Sequence, residues 1–339
     1  MKTKTSNKIY EKIKNYIKNN YKFLIIYIFL LLLVTIRLDY EVYMPGGLTN
    51  LGKRITVEDA KDKDGSFNLT YVKAKPGTIP IILLSYIIPS WDLYSLDDQR
   101  IDSEDASEIM ERGKIDLTSS GQIAVKTAFD KAGVAYEKIN EELIVYHVFD
   151  NANTNLEVGD IITKVDEVNV KTFEDFSKII SEKKENDEIK LTIIKNGKEK
   201  EKYATVKIEE GKKIIGLYLT ETFEIKSDKK IKFKYKSSEA GSSGGLMTTL
   251  EIYNRLIDED ITKGLKIAGT GTINLDGTVG EIGGVKYKLK GAVKNGADVF
   301  IVPTNNYKEA LEVKEKGGYK IKLIEAKTFE GVLADLSKL

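Results

Sequence analysis

The sequence predicts a multidomain α+β protein that begins with a single transmembrane helix. Three observations support this fold class: an apolar run close to the N-terminus, a central block of strand patterns around one amphipathic helix, and alternating strand and helix patterns after residue 210. A chain of 339 residues has room for two or three domains. The formal net charge of +1 gives no reason to expect nucleic acid as a partner.

The apolar run covers residues 23–36, which is short for a spanning helix of ~20 apolar residues but within the range of a signal-peptide core. Lys22 and Arg37 can lengthen the span by reaching the two interfaces, and no small-residue cleavage site follows. We therefore expect a transmembrane anchor over residues 23–38, with a cleaved signal peptide as the alternative.

The charges on the two sides of this run predict its orientation. Residues 1–22 carry seven lysines and one acidic residue, Glu11, so the positive-inside rule makes this segment a cytoplasmic tail. Everything after the anchor is then extracytoplasmic, and we expect a single-pass protein of the cell membrane.

Residues 39–133 are expected to form a membrane-proximal extracytoplasmic region, whose role the sequence does not reveal. Residues 67–72 alternate like a strand, and residues 120–132 have helical spacing. The apolar run Ile79–Ile88 contains Pro80 and is too short and broken to span a bilayer, so we expect it to be buried core.

The central block, residues 134–210, combines strand patterns with an amphipathic helix. Its patterns are, in order, a strand at 143–148, the segment L-E-V-G-D-I-I-T-K-V-D at 156–166, a helix at 173–180, a strand at 189–194 and the turn pair Asn196-Gly197. His147 lies in the first of these strands, where a packed histidine is more common than a catalytic one.

These central motifs resemble a PDZ domain of the bacterial protease-associated type. One departure is Glu167, where the family often has glycine. The resemblance implies a β-barrel-like fold with two helices and a groove that accepts an extended peptide as an added strand. A small α+β domain of another kind is the alternative.

The last third, residues 211–339, alternates strand and helix patterns and predicts an α/β domain. Strands are expected at 214–219, 231–235, 265–268, 299–302 and 321–324, and helices at 246–257, 285–295, 307–315 and 329–336. Its glycine-rich turns are the first place to look for a catalytic site.

The turn at residues 241–245 carries the first candidate, because Gly241-Ser242-Ser243-Gly244-Gly245 fits the pattern G-x-S-x-G. A helix is expected directly after it, so Ser243 would lie at a helix N-terminus. Free N–H groups and the helix dipole stabilise a developing oxyanion at such a position. A flexible Gly/Ser linker is the alternative.

The base for this serine cannot be a thiolate, and a histidine is a poor candidate. The chain has no cysteine, and its single histidine, His147, precedes Ser243 and lies in another expected domain. An α/β-hydrolase has its acid and its histidine after the serine, which excludes that class. We expect a lysine instead, with burial lowering its pKa from ~10.4 to about 7–8.

The helix expected at 285–295 offers the lysine candidates. The preceding pair Gly283-Gly284 permits close packing, and Lys286 and Lys288 flank the apolar stripe of the helix on opposite sides. Periodicity does not choose between these two lysines.

Several motifs, occurring in order, resemble the proteolytic domain of the Lon family, which are peptidases with a Ser-Lys dyad. The matching text is A-G-S-S-G-G-L around Ser243, A-G-T-G-T-I-N-L-D-G-T-V-G-E-I-G-G-V-K-Y-K-L at 268–289 and G-A-D-V-F-I-V-P at 296–303. The resemblance implies that Ser243 is the nucleophile and that Lys288, rather than Lys286, is the base.

The same resemblance implies supporting residues around the dyad. Thr270 corresponds to a threonine that often lies close to the dyad, while Gly241, Ser242 and Gly244 form the turn around the nucleophile. Ser242 stands where the family has proline, and Gly244 stands where it has alanine, so the rigidity of this turn differs from the family pattern.

The anchor, the PDZ-like block and the Lon-like block together resemble membrane-anchored PDZ–Lon peptidases of Gram-positive bacteria. No P-loop pattern G-x-x-x-x-G-K-[ST] occurs, so the sequence contains no sign of an ATPase module. The resemblance implies an ATP-independent serine endopeptidase, without cofactor or metal, that cleaves extracytoplasmic peptides or small membrane or secreted proteins captured by the PDZ domain. An inactive peptide-binding scaffold and a structural envelope protein are the alternatives, and assembly into a homo-oligomer is left open.

Overall fold

The computed structural model describes residues 3–339, and the side chains of residues 8–98 and 100–339. The chain divides into two compact units. The first comprises the chain up to Met44 together with Lys73–Asp98, and the second comprises Pro45–Val72 together with Gln99–Leu339.

The N-terminal part of the chain alternates helices with strands. In order, its elements are α1 (Thr3–Thr35), β1 (Leu38–Asn50), β2 (Ile55–Val57), β3 (Ser66–Gly77), α2 (Ile79–Ile87), β4 (Asp92–Ser95) and α3 (Ala106–Ala132). The strand expected at 67–72 is confirmed as part of β3.

The first unit contains the apolar helix α1 and a short antiparallel strand pair. Within α1, the segment Lys8–Thr35 is long and apolar enough to cross a membrane, and its most apolar stretch has no buried residue. A membrane anchor and a signal sequence both have this character. Strand β4 pairs with the start of β1, where the rings of Tyr43 and Tyr94 lie 4.7 Å apart between centroids.

Helix α2 corrects the expectation that residues 79–88 are buried core. Pro80 lies in the first turn, where its missing N–H breaks no helical hydrogen bond. No residue of α2 is buried, and Leu83, Tyr86 and Ile87 are each more than half exposed. An apolar run indicates that the contact of its side chains with water is unfavourable. It does not show that other residues of the same chain bury those side chains.

Helix α3 is longer than its periodic part. The helical spacing at 120–132 is confirmed, and the structure extends the helix back to Ala106. A capping box starts it, with Asp105 accepting from the backbone of Glu108 and Glu108 accepting from that of Asp105. Gly133, with φ +68°, ends it in the left-handed conformation.

The central block forms a five-stranded sheet, with a two-residue strand added, and one helix. Its elements are β5 (Glu137–Val148), β6 (Ile161–Val165), β7 (Val168–Asn169), α4 (Phe173–Glu182), β8 (Glu188–Lys195), β9 (Lys198–Thr205), β10 (Lys207–Glu209), β11 (Lys212–Ile214) and β12 (Leu217–Lys226). The sheet order is β12-β5-β6-β8-β9, with β7 beside β6, and β10 pairs separately with β11.

One feature of this block differs from the expectation. Two helices were expected in residues 134–210, but α4 is the one helix that the structure has there. A short turn at Val158–Gly159 occupies the segment before β6 instead, because the three residues between Leu156 and Asp160 are too few for a stable helix. His147 is buried in β5, as expected for a packed strand histidine.

The last third is an α/β domain with helices on both faces of a parallel sheet. Its elements are β13 (Ile231–Phe233), α5 (Gly245–Leu256), β14 (Lys266–Gly269), α6 (Val285–Lys294), β15 (Val299–Pro303), α7 (Thr304–Gly317), β16 (Lys322–Ala326) and α8 (Phe329–Leu336). Strands β14, β15 and β16 are adjacent and parallel.

Successive residues of these strands point to opposite faces, which builds two cores. Ile267 and Ile301 pack with α3, α5 and α8, whereas Ala268 and Phe300 pack with α6 and α7. Both faces of the strands are therefore covered, which explains why the sequence has continuous apolar runs rather than alternation there.

Strand β14 has a second neighbour in this sheet, and that strand comes from an unexpected part of the chain. Residues Ser66–Leu69 of β3 pair in parallel with Lys266–Gly269, so the region before the central block supplies part of the same sheet. Strand β2 likewise pairs with β13. These pairings join segments far apart in sequence, and strand periodicity carries no information about partners at such distances.

Candidate functional site

Ser243 lies in the loop 234–244 between β13 and α5, called the serine loop below. Gly241 of this loop has φ +91°, which an L-residue with a side chain rarely adopts, so glycine is required there. Gly244 caps α5, and Ser243 directly precedes this cap and is half-buried. The expected strand–turn–helix placement of Ser243 is therefore present.

The backbone around Ser243 leaves two donors for an incoming anion. The N–H groups of Gly245 and Leu246 already donate to the carbonyl oxygens of Ser242 and Gly271, each at 3.0 Å. In the described part of the chain, the N–H groups of Ser243 and Gly244 have no such acceptor. They lie at the positive end of the α5 dipole, where N–H groups bind negative charge.

Lys288 is the fourth residue of α6 and is buried. Gly284 starts this helix with φ +73°, and a side chain at that position would meet Val72. The Lys288 side chain is 4% exposed, and its Nζ donates to Thr270 Oγ1 at 3.1 Å. Burial lowers the pKa of Lys288 from 10.5 to about 8, because a buried ammonium loses its hydration.

The two lysines that periodicity left open have different surroundings. Lys286 is half-buried, and its ammonium lies 5.0 Å from the ring centroid of Tyr287. Lys288 instead points into the domain. The structure therefore distinguishes the two lysines by their burial. The position of a residue beside the apolar stripe of a helix does not predict how deeply it is buried.

Thr270 links Lys288 to the serine loop. It follows β14, is fully buried, and donates from Oγ1 to the carbonyl oxygen of Ser243 at 3.0 Å. Thr270 Oγ1 also accepts from Lys288 Nζ, so the Thr270 hydroxyl is hydrogen-bonded to both partners. Gly271 N–H also donates to the Ser243 carbonyl, at 2.8 Å, which ties the serine loop to the end of β14.

The Ser243 hydroxyl itself makes no hydrogen bond to another residue of the described chain. Lys288 and Ser243 are connected through Thr270 rather than by a direct bond. Catalytic hydrogen bonds are often long in the absence of substrate. The arrangement links a buried amine, through the Thr270 hydroxyl, to the backbone of a serine that precedes a helix N-terminus.

Sequence reasoning missed two residues that contact the serine loop from α3. Ser120 Oγ donates to the carbonyl oxygen of Ser242 at 3.2 Å, and the carbonyl oxygen of Gly113 accepts from Gly241 N–H at 2.7 Å. A serine and a glycine within a helix carry no motif, so no local signal identified them.

The sheet of the central block ends in β12, which is paired on one side, with β5, in the described structure. Helix α4 flanks this strand, since the N–H of Phe173 donates to Glu221 Oε1 at 2.7 Å. An end strand beside a helix is the geometry into which an extended peptide adds by main-chain pairing. Among the described residues, no group of three His, Cys, Asp or Glu side chains could hold a metal ion.

Two family models match the chain. Residues 131–208 match the model of the PDZ domain, and residues 236–338 match that of the Lon protease (S16) C-terminal proteolytic domain. The second match includes Ser243, Thr270 and Lys288.

Curated relatives of the C-terminal part are Lon proteases. The Lon protease of Geobacter metallireducens is 31% identical over 94 residues, which are 28% of this chain and 11% of that protein. The Lon protease of Clostridium acetobutylicum is 34% identical over 93 residues, which are 27% of this chain and 12% of that protein. The match thus spans about a tenth of the length of these relatives.

Solved structures similar to the central block are PDZ domains. One is the crystal structure of the PDZ domain of the SdrC-like protein from Listeria monocytogenes, with 26% identity and a TM-score of 0.21. It covers 23% of this chain and 85% of that one. The corresponding domain from Listeria innocua has 24% identity and a TM-score of 0.22, and covers 23% of this chain and 92% of that one.

Proposed function

Because this chain joins a PDZ domain to a Lon protease-like C-terminal domain, we propose that it is a membrane-anchored serine endopeptidase that works without ATP. Its substrates are extracytoplasmic peptides or small membrane or secreted proteins. The observation that carries the proposal is the buried Lys288, hydrogen-bonded through Thr270 to the backbone of Ser243.

In the proposed reaction, Ser243 Oγ attacks the carbonyl carbon of the scissile peptide bond while neutral Lys288 accepts its proton. The negative charge that develops on the carbonyl oxygen is stabilised by the N–H groups of Ser243 and Gly244. Protonated Lys288 then gives its proton to the leaving amine, which leaves an acyl group on Ser243. Lys288 next accepts a proton from water, whose oxygen attacks the acyl carbon, and returns a proton to Ser243 Oγ.

Burial supports the role of Lys288 as a base. At its ordinary pKa a lysine is almost fully protonated at neutral pH and cannot accept a proton. A pKa of about 8 leaves a substantial neutral fraction near pH 7.5. The hydrogen bonds of Thr270 to the amine and to the Ser243 carbonyl support the proposal that the neutral amine accepts the proton of the Ser243 hydroxyl.

The PDZ domain is proposed to capture substrate along β12. An extended segment adds as a strand to the unpaired side of β12, next to α4, through main-chain hydrogen bonds that do not depend on sequence. Strand β12 leads through β13 into the serine loop, so a captured chain is held in the domain that directly precedes the site. This location lies outside residues 131–208, the segment that matches the PDZ model.

Two sequence features support the proposed independence from ATP and the proposed membrane anchor. The chain has no P-loop motif, so substrates must be short or already unfolded, because no unfolding motor is present in this sequence. The lysine-rich segment before the apolar part of α1 supports an extracytoplasmic position of both domains.

The direct test is peptide cleavage by the purified full-length protein in detergent or lipid. Ser243→Ala should abolish cleavage of an unstructured peptide, while the matched variant Ser242→Ala, in the same turn, should retain most of it. Addition of ATP should change neither result. If Ser243→Ala cleaves as fast as the wild type, the proposal is wrong.

An inactive peptide-binding scaffold is the second candidate, favoured by the missing direct bond between the Ser243 hydroxyl and Lys288. A serine-reactive fluorophosphonate separates the two functions. The peptidase is expected to be labelled at Ser243, with labelling lost in Lys288→Ala, whereas the scaffold is not labelled.

A further inference from the structure

Helix α3 lies almost entirely outside both segments that match known families, because it spans residues 106–132. We propose that α3 positions the serine loop for catalysis through Gly113 and Ser120. The proposal deepens the peptidase function and uses that activity as one of two readouts.

One face of α3 contacts the serine loop at successive points. Gly113 accepts from Gly241 N–H at 2.7 Å, and Ser120 Oγ donates to the Ser242 carbonyl at 3.2 Å. These two bonds hold the two residues immediately before Ser243. Because Gly113 and Ser120 are seven residues apart, they lie on the same side of the helix.

Close packing accompanies these hydrogen bonds. A Cβ atom placed on Gly113 would lie 2.9 Å from the Cβ of Ala240, so the serine loop rests directly on the helix backbone. A Cβ atom on Gly245 would lie 2.6 Å from Ser120 Oγ, so the start of α5 is equally close. The loop therefore has little room to shift toward α3.

The helix is itself held in place by contacts with the PDZ domain. Tyr146 of β5 donates to Asp116 at 3.1 Å, and the guanidinium of Arg112 lies 5.6 Å from the centroid of the Tyr146 ring. Arg112 also binds Glu104, whose Oε1 lies 3.1 Å from Nδ1 of the buried His147. These contacts attach the N-terminal half of α3 to the strand β5.

Elsewhere the serine loop is held by Arg54, which donates to the Lys234 carbonyl oxygen and to Glu239, and by the bonds from Thr270 and Gly271 to the Ser243 carbonyl. Gly241 has a positive φ and Ser242 is not a proline, so the residue types at these two positions do not by themselves fix the backbone. Contacts from α3 supply rigidity at these two residues. Positioning of a nucleophile matters because a shift of about 1 Å can reduce the rate of the chemical step by about 100-fold.

The decisive variant is Gly113→Ala. Alanine is a better helix former than glycine, so the substitution does not weaken α3 itself. Its methyl group displaces Ala240 and the serine loop. We expect kcat for a short peptide to fall about 10- to 100-fold, with KM and the midpoint of the pH–rate profile unchanged because Lys288 is not touched.

A second substitution serves as the rescue. Ala240→Gly in the Gly113→Ala background removes the opposing methyl group and should restore most of kcat. Ser120→Ala should lower kcat by about tenfold through loss of one part-buried hydrogen bond. Thr118→Ala, at an exposed position of the same helix, is the matched control and should behave as the wild type.

Amide hydrogen exchange gives a readout that needs no activity. Exchange across residues 240–245 should be faster in Gly113→Ala than in the wild type and should return to the wild-type rate in the double variant. Unchanged exchange and unchanged kcat in Gly113→Ala would overturn the role of α3. A wild type without peptidase activity but with this exchange pattern would instead contradict the proposed function and leave the role of α3 in place.

Discussion

Lys288 illustrates at the residue scale how burial changes what a side chain can do. The surrounding domain removes water from its amine, and one hydroxyl, that of Thr270, is the hydrogen-bond partner that remains among the described residues. The charged form is destabilised, so the amine becomes a base near neutral pH at the expense of folding stability.

The first prediction concerns pH and Thr270. Peptidase activity should rise with pH and level off above about 8, because the neutral amine is the active form. Thr270→Val removes the acceptor that stabilises the ammonium form, so the pKa of Lys288 falls further and the midpoint of the pH–rate profile moves to lower pH. Steady-state kinetics between pH 6 and 10 measure both effects, and a midpoint that rises in the variant would contradict this role of Thr270.

The second prediction concerns stability. Below about pH 8, Lys288 is protonated in both the folded and the unfolded protein. Burial of its ammonium group then destabilises the folded state. Between about 8 and 10.5 the folded protein has lost its proton while the unfolded protein retains it, so stability rises with pH. Lys288→Met should therefore raise the free energy of unfolding by about 3 kcal/mol at pH 7.

Denaturant unfolding of the full-length protein at pH 7 and pH 10 checks this sign. The advantage of Lys288→Met should shrink strongly at pH 10, where the wild type is largely relieved of the buried charge. Lys286→Met is the matched control, because Lys286 is half-buried on the same helix. An equal stability change at both pH values would contradict the buried-charge explanation.

At the scale of single elements, β12 combines two positions in the fold. It is the end strand of the PDZ sheet and also the segment that leads to β13 and the serine loop. End strands present unpaired main-chain groups to any extended chain. This is why β12 is the element in which substrate capture is expected.

The third prediction tests that expectation without a mutation in the PDZ domain. An unstructured peptide that the wild type cleaves, bound to Ser243→Ala, should slow amide exchange in residues 217–222 of β12. Strand β9, at the opposite end of the same sheet, serves as the internal control and should be unaffected. Protection confined to the neighbourhood of Ser243 would contradict capture by β12.

Helices and strands of the Lon protease-like domain were predictable to within a few residues because their patterns are strong. The expected helices at 246–257 and 285–295 are confirmed as α5 and α6. The strand expected at 214–219 was less accurate, since Gly216 has a positive φ and separates β11 from β12. A single glycine was not recognised as a break because the apolar pattern continues on both sides of it.

At the scale of the whole molecule, the fourth prediction concerns topology. The chain has no cysteine, so single cysteines introduced at chosen positions report accessibility without background. A membrane-impermeant maleimide applied to intact cells should label Ser337→Cys, in the protease-like domain, but not Lys12→Cys, in the lysine-rich segment. Lys12→Cys should be labelled only after permeabilisation.

The reverse pattern would place the protease-like domain in the cytoplasm and would contradict the proposed substrates. Labelling of Ser337→Cys in the culture medium rather than on cells would indicate a cleaved signal peptide. Both results would leave the Ser243 and Lys288 tests unaffected, because those use purified protein.

The sequence by itself determined the types of domain and the residues to examine. Glycine-rich turns, apolar periodicity and ordered motifs around Ser243 and Lys288 are local features, and local features can be read from neighbouring residues. Local features did not decide between Lys286 and Lys288, because helical spacing allowed both. Only the family resemblance favoured Lys288.

The tertiary structure decided what those local features contact. Burial of Lys288, the bridging hydroxyl of Thr270, the strand that β3 contributes to the sheet, and the bonds from α3 to the serine loop all join segments distant in sequence. Such contacts depend on how complete elements pack, and packing is set by the sum of many weak interactions rather than by any one motif. For the same reason the apolar run at residues 79–88 did not reveal that this segment is an exposed helix.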